Sequence, residues 1–148
     1  MANIVAETEG TIDYWRQFET QRVFSAANIN DAITHTCCLT AKDLNAKAIL
    51  AATSSGHSAR MISRFRPACP VAALTMREKV RRQMNMIWGV IPYLTGEVNS
   101  TDRIFSLTTD VALKEGLVQP GDVVVITAGV PLGRSGSTNL IKAQAVEE

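Results

Sequence analysis

The chain has 148 residues, 46% of them apolar and 20% charged, with a formal net charge of +1. That length suits one domain able to bury roughly 70% of its unfolded surface without staples. The near-neutral balance excludes bulk attraction to nucleic acid or an anionic membrane, and no apolar run has the length of a membrane span or the form of a signal-peptide core.

In chain order, Met1 to Glu9 reads as the end of a helix and Gly10 to Ala27 as an irregular, aromatic-bearing linker. Asn28 caps a helix whose apolar positions Ile29, Ala32, Ile33, Cys37, Ala41 and Leu44 recur close to every 3.6 residues. Ala48 to Ala52 is the first strand. After the turn Thr53 to Ser58, a short helix presents Ala59, Ile62 and Phe65 on one face and stops before Pro67. Val71 to Leu74 is the second strand. Thr75 and Glu78 form a capping-box pair opening a helix to about Met84, with Val80 and Met84 inward. A short strand lies around Val90-Ile91. Ser100 or Thr101 then starts a helix carrying Ile104, Leu107 and Val111, with Gly116 placed as a C′ glycine. Pro120-Gly121-Asp122 turns into the strand Val123 to Ile126. The last segment, Leu140 to Val146, alternates as a half-exposed edge strand does.

Continuously apolar strands separated by helices imply an α/β fold, a mostly parallel sheet covered on both faces. The final strand has no helix before it, which fits an antiparallel edge. Ligands of such sheets lie beyond the carboxyl ends of the strands.

Two hydroxyl- and glycine-rich turns occupy carboxyl ends. The first, Thr53-Ser54-Ser55-Gly56-His57-Ser58, opens a helix and offers hydroxyl donors and unpaired backbone N–H groups. It reads either as a polar helix cap or as a phosphate cradle. It lacks the spacing and lysine of a P-loop, so nucleotide hydrolysis is not indicated. The second runs from Gly129 to Asn139, where Gly129, Gly133 and Gly136 give freedom, Arg134 gives charge, and Ser135, Ser137 and Thr138 give donors. It reads either as a surface hairpin or as the partner of the first turn. If their strands are neighbours, both face one crevice. His57 reads as a loop residue rather than a general base, and Arg77, Lys79, Arg81 and Arg82 as a solvated helix face. Trp15 and Trp88 read as packing residues. Cys37, Cys38 and Cys69 have no zinc-type spacing with the histidines and read as reduced thiols of a cytoplasmic protein. No catalytic constellation and no metal cluster stands out.

Ala51-Ala52-Thr53-Ser54-Ser55-Gly56-His57-Ser58-Ala59-Arg60, Arg66-Pro67-Ala68-Cys69-Pro70-Val71, Trp88-Gly89-Val90, and Gly121 to Gly129 continuing to Gly136-Ser137-Thr138-Asn139 follow one another at a distinctive spacing. Together they resemble the C-terminal domain of the pyruvate kinase family in its bacterial form, from about residue 13 to the end. The resemblance implies a three-layer α/β/α fold with a five-stranded, mostly parallel sheet and an antiparallel edge strand, the two loop-bearing strands side by side. Residues Ala2 to Glu9 resemble the last helix of the family's catalytic barrel. The division expected is therefore 1–27, barrel helix end and linker, and 28–148, the α/β domain of a longer protein.

In that family the domain serves allostery and assembly. The resemblance implies that Thr53, Ser54, Ser55, Gly56, His57 and Ser58 hold one phosphate of a sugar phosphate, sugar bisphosphate or AMP. Gly129, Gly133, Arg134, Ser135, Gly136, Ser137 and Thr138 would close over it. It implies no catalysis and no cofactor in this chain. Phosphate transfer from phosphoenolpyruvate to ADP, with Mg²⁺ and K⁺, would belong to the barrel of a homo-oligomeric, tetrameric, cytoplasmic enzyme of glycolysis. Eukaryotic members carry a lysine where this chain has Ser54, and a tryptophan and arginine for a second phosphate. Gly96 to Arg103 has no tryptophan here, so a monophosphate fits at least as well as fructose 1,6-bisphosphate. A different reading is a free-standing phosphosugar isomerase-like domain. That reading needs a Glu or His base, and only His57 is near.

Overall fold

A computed structural model describes residues 1–21 and 25–147; residues 22–24, inside the expected linker, and residue 148 lie outside the description. Among the described residues, β1 (Ala48–Ala52), β2 (Val71–Thr75), β3 (Val90–Leu94), β4 (Val123–Gly129) and β5 (Thr138–Ala145) form one sheet in the order β3-β2-β1-β4-β5. The first four run parallel, and β5 pairs antiparallel with β4 at the edge. The helices are α1 (Ala2–Gly10), α2 (Tyr14–Thr20), α3 (Ile29–Asp43), α4 (His57–Ser63), α5 (Glu78–Met84) and α6 (Thr101–Lys114).

The strands read as unbroken apolar runs because each alternate residue meets a different helical layer. Ile49, Ala51, Val71, Ala73 and Val125 pack under α3, α4 and α5, against Cys37, Cys38, Ala41, Ala59, Ile62, Val80 and Met84. Ala48, Leu50, Ala72, Leu74, Val124 and Ile126 face the other way, against Ala112 of α6, Val118 and Val146. Leu50 and Ile126 are fully buried and lie opposite each other across β1 and β4. Truncating either to alanine costs about 2–5 kcal/mol.

Several local expectations differ from what is found. The segment expected to be irregular contains α2, capped by Asp13, whose side chain accepts from the Arg16 N–H at 3.0 Å. Phe18 of α2 enters the core edge-on to Phe65 at 6.1 Å. The expected capping box does not form: α5 has Arg77 at its N-cap with no side-chain cap, and Thr75 Oγ1 accepts weakly from the Arg77 N–H at 3.4 Å. Glu78 instead takes Arg81 at 2.7 and 2.9 Å and Arg82 at 2.9 Å, because charged donors one turn away outbid a neutral backbone N–H. Ile29 and Leu44, expected inward, are 69% and 46% exposed. Each lies at an end of α3, a helix longer than the five-residue strand β1 beneath it. In β5, Ala143 and Ala145 stay exposed, while Ile141 packs on the core and Val146, just beyond, is buried.

Both tryptophans pack as expected. Trp15 lies 6.1 Å from Phe18, and Trp88 stacks obliquely on Tyr14 at 5.0 Å beneath the Arg66 guanidinium. Arg77, Lys79 and Arg82 are exposed. Among the described residues no helix is long and apolar enough to cross a membrane.

Candidate functional site between two strand-end loops

β1 and β4 are parallel neighbours, with Ala51 opposite Thr127, so the loops that follow them emerge side by side. Beyond β1, the Thr53 N–H continues the ladder to Leu74 O at 2.9 Å, and Thr53 Oγ1 accepts from the Gly56 N–H at 2.9 Å. Gly56 is the N-cap of α4 in a left-handed conformation, φ +80°. A Cβ there would lie 3.1 Å from Met84 Cγ, so glycine lets α4 start tight against α5.

Beyond β4, Gly129 lets the second loop fold back on itself, since a Cβ would sit 2.7 Å from the Ser137 carbonyl oxygen. The base is tied by Asn139, whose side chain accepts from the Val130 N–H at 2.9 Å and donates to Val130 O at 2.6 Å. Ser137 Oγ donates to Arg134 O at 3.0 Å. Ser58 and Thr138, 5% and 1% exposed, hydrogen-bond through their hydroxyls and fasten one loop to the other. The Asn30 amide of α3 donates to Gly136 O at the tip of the second loop.

The structure therefore brings most of the expected residues to one cleft. Thr53, Ser54 and Ser58 line it from the first loop, and Gly129, Gly133, Arg134, Gly136, Ser137 and Thr138 from the second. Ser55, Gly56, His57 and Ser135 are not among the lining residues; Gly56 acts through the backbone turn. Three further hydroxyls line it that the sequence reading did not assign to a site: Thr75 after β2's apolar run, Thr95 just past β3, and Thr108 inside α6. The polar ends of β2 and β3 were the available signal for the first two, since parallel strands deliver their carboxyl ends to one side. Thr108 carried no signal, because a threonine on a helix's inner face reads as core.

Among the described residues, Arg134 is the sole charged side chain lining the cleft, and no carboxylate lines it. Apolar side chains line it as well, among them Met76, Leu107 and, from the second loop itself, Leu132. The space is about 90 Å³, well short of the roughly 300–1,000 Å³ of sites that enclose an organic ligand. The cleft is half open to solvent, so this volume sets no upper limit on what it can hold. Among the described residues no group of three or more His, Cys, Asp or Glu side chains is placed to hold a metal ion.

Comparison with known proteins identifies the architecture. Residues 31–143 match the family model described as pyruvate kinase, alpha/beta domain. A pyruvate kinase of Clostridium acetobutylicum is 44% identical over 147 residues, covering 99% of this chain and 31% of that protein. Those of Sporosarcina psychrophila and Lactobacillus delbrueckii subsp. bulgaricus are 42% and 41% identical, each covering 99% of this chain and 25% of the relative. The chain thus spans between a quarter and a third of the length of these relatives. Motif order, sheet topology and these matches agree, and the chain belongs to the pyruvate kinase α/β domain family.

Proposed function

We propose that this chain is the regulatory and assembly domain of a pyruvate kinase and that a phosphorylated effector binds between the two loops. The longer protein would transfer phosphate from phosphoenolpyruvate to ADP, with catalysis residing outside this chain. The observation that carries the effector reading is the convergence of both loops on a cleft whose one charged side chain, among the described residues, is the cation Arg134. With a whole-chain charge of only +1, local donors rather than bulk field must hold an anion. The hydroxyls of Thr53 and Ser54 and the Arg134 guanidinium suit one phosphate. Among the described residues no second cation lines the cleft to take a second phosphate. A sugar monophosphate or AMP fits this single cation better than a bisphosphate.

Thermal denaturation with ribose 5-phosphate and with AMP tests the reading. A ligand at a hundred times its dissociation constant adds about 2.7 kcal/mol, which raises Tm by roughly 5–10 °C for a chain of this size. Ser54→Glu places a carboxylate in the cleft at a half-buried position and removes the rise. Ser58→Glu is a poorer probe, because Ser58 is buried against Thr138 and a carboxylate there destabilises the fold itself. A Ser54→Glu variant responding like wild type would place the phosphate elsewhere.

Assembly belongs to the same proposal. β5 is an outer strand of the sheet, and its Ala143 and Ala145 are exposed and small enough for close approach of a second copy. Sedimentation should show self-association at high micromolar concentration that Ala143→Pro weakens. A strictly monomeric profile, the same in both, counts against it.

A further inference from the structure

The second loop is fastened unevenly. Its base has the two Asn139–Val130 hydrogen bonds and the buried Ser58–Thr138 pair. Its tip, residues 133–136, is exposed. Among the described residues, one hydrogen bond leads from residues 130–137 to a helix, and Asn30 makes it, donating to Gly136 O. Asn30 lies in the first turn of α3, which packs against β4 and β5 and so brings that turn beside the β4–β5 connection. Capping of α3 falls to Asn28, which accepts from the Asp31 N–H at 3.0 Å. The Asn30 amide is thus free of helix-capping duty and reaches across 106 residues of sequence to the loop.

We propose that Asn30 is a positioning residue of the candidate site, a latch on the tip of the second loop that sets how often the cleft opens. The proposal rests on the effector reading for its purpose. Its physical content does not. Gly133, Arg134 and Gly136 of the tip line the cleft, so departure of the tip from α3 changes the space that a ligand meets. Breaking the Asn30–Gly136 bond permits that departure. The base fasteners stay in place, so the loop hinges and does not unfold.

Limited trypsin digestion reads the opening, because Arg134 stands in the tip and the Arg134–Ser135 bond is cut faster the more often the loop leaves α3 and extends into the protease. Losing one neutral hydrogen bond raises the open population, and with it the cleavage rate at Arg134, by about two- to tenfold. Asn30→Ala should show this rise by mass spectrometry of the fragments, with Tm and cleavage at other sites unchanged. Asn30→Gln keeps the amide donor and should recover part of the protection. An Arg134 rate in Asn30→Ala equal to wild type overturns the latch. So does a rise shared by all sites with a fall in Tm, which would make Asn30 merely structural. Ribose 5-phosphate added to wild type separates the two readings. Protection of Arg134 supports the effector site, and its absence with a faster Asn30→Ala leaves the latch standing and removes the effector.

Discussion

Gly56→Ala probes the turn that aims α4 at the cleft. Two costs add there. A non-glycine residue at φ +80°, ψ 0° is left-handed and costs about 1–2 kcal/mol. The new Cβ also lies 3.1 Å from Met84 Cγ and 3.6 Å from Val80 Cγ1, so Met84, 1% exposed, must shift within a filled core. Overpacking typically costs about 1–3 kcal/mol, and a flexible methionine puts this case at the lower end. The sum is about 2–3 kcal/mol, or a fall in Tm of roughly 4–12 °C. Chemical denaturation with an unchanged m-value measures it. Gly10→Ala is the control, since Gly10 ends α1 and a Cβ there meets no heavy atom within 4 Å. That variant should match wild type or gain up to about 1 kcal/mol from helix propensity. A Gly56→Ala protein within about 0.5 kcal/mol of wild type would refute the argument, showing that the turn relaxes at no cost.

Stability should fall in acid in two separate windows. Burial lowers the pKa of His35, which stacks on Phe18 at 5.3 Å and meets Phe65 edge-on. The unfolded chain, titrating there near about 6.5, binds the proton more readily, so stability declines as pH drops through that value toward the lower folded pKa. Glu78 is held down at about 2 by hydrogen bonds from Arg81 and Arg82. Its contribution is present above about 4.3 and disappears as pH falls from there toward about 2. Denaturation midpoints from pH 8 to 3 should show both phases, with His35→Phe removing the first and Glu78→Gln the second; a flat profile between pH 7.5 and 5.5 excludes the His35 account. Burial also pushes the Cys37 thiol up to about 12 and Cys69 to about 11, and raises Cys38. A thiol reagent at neutral pH should label Cys37 and Cys38 only at the rate of unfolding, and fast labelling of either in native buffer contradicts this.

The strands were legible because burial on both faces leaves a mark in one dimension: Ala48–Ala52 and Val123–Ile126 are apolar without interruption. Both loops were legible for a related reason, as hydroxyls and glycines gather where those runs stop. That the loops face each other was not, because the β1–β4 pairing joins segments more than seventy residues apart, and it came from the family resemblance. α2 was missed because seven residues span only two helical turns, and its inward markers, Trp15 and Phe18, read equally as linker aromatics. Thr75 was assigned to a cap since Glu78 stood three residues on, with nothing in the pattern to show that Arg81 and Arg82 would take the carboxylate. Asn30 carries no signal in the sequence. Its partner is a backbone carbonyl, which no side-chain pattern reveals.

Backbone amide shifts during titration with ribose 5-phosphate test the central claim most directly. The account predicts saturable shifts at Thr53, Ser54 and the first residues of α4 together with Gly133 to Thr138, all following one dissociation constant. Saturable shifts confined to the groove between α6 and β5, around Asp102, Phe105 and Lys142, or shifts at one loop without the other, would contradict it.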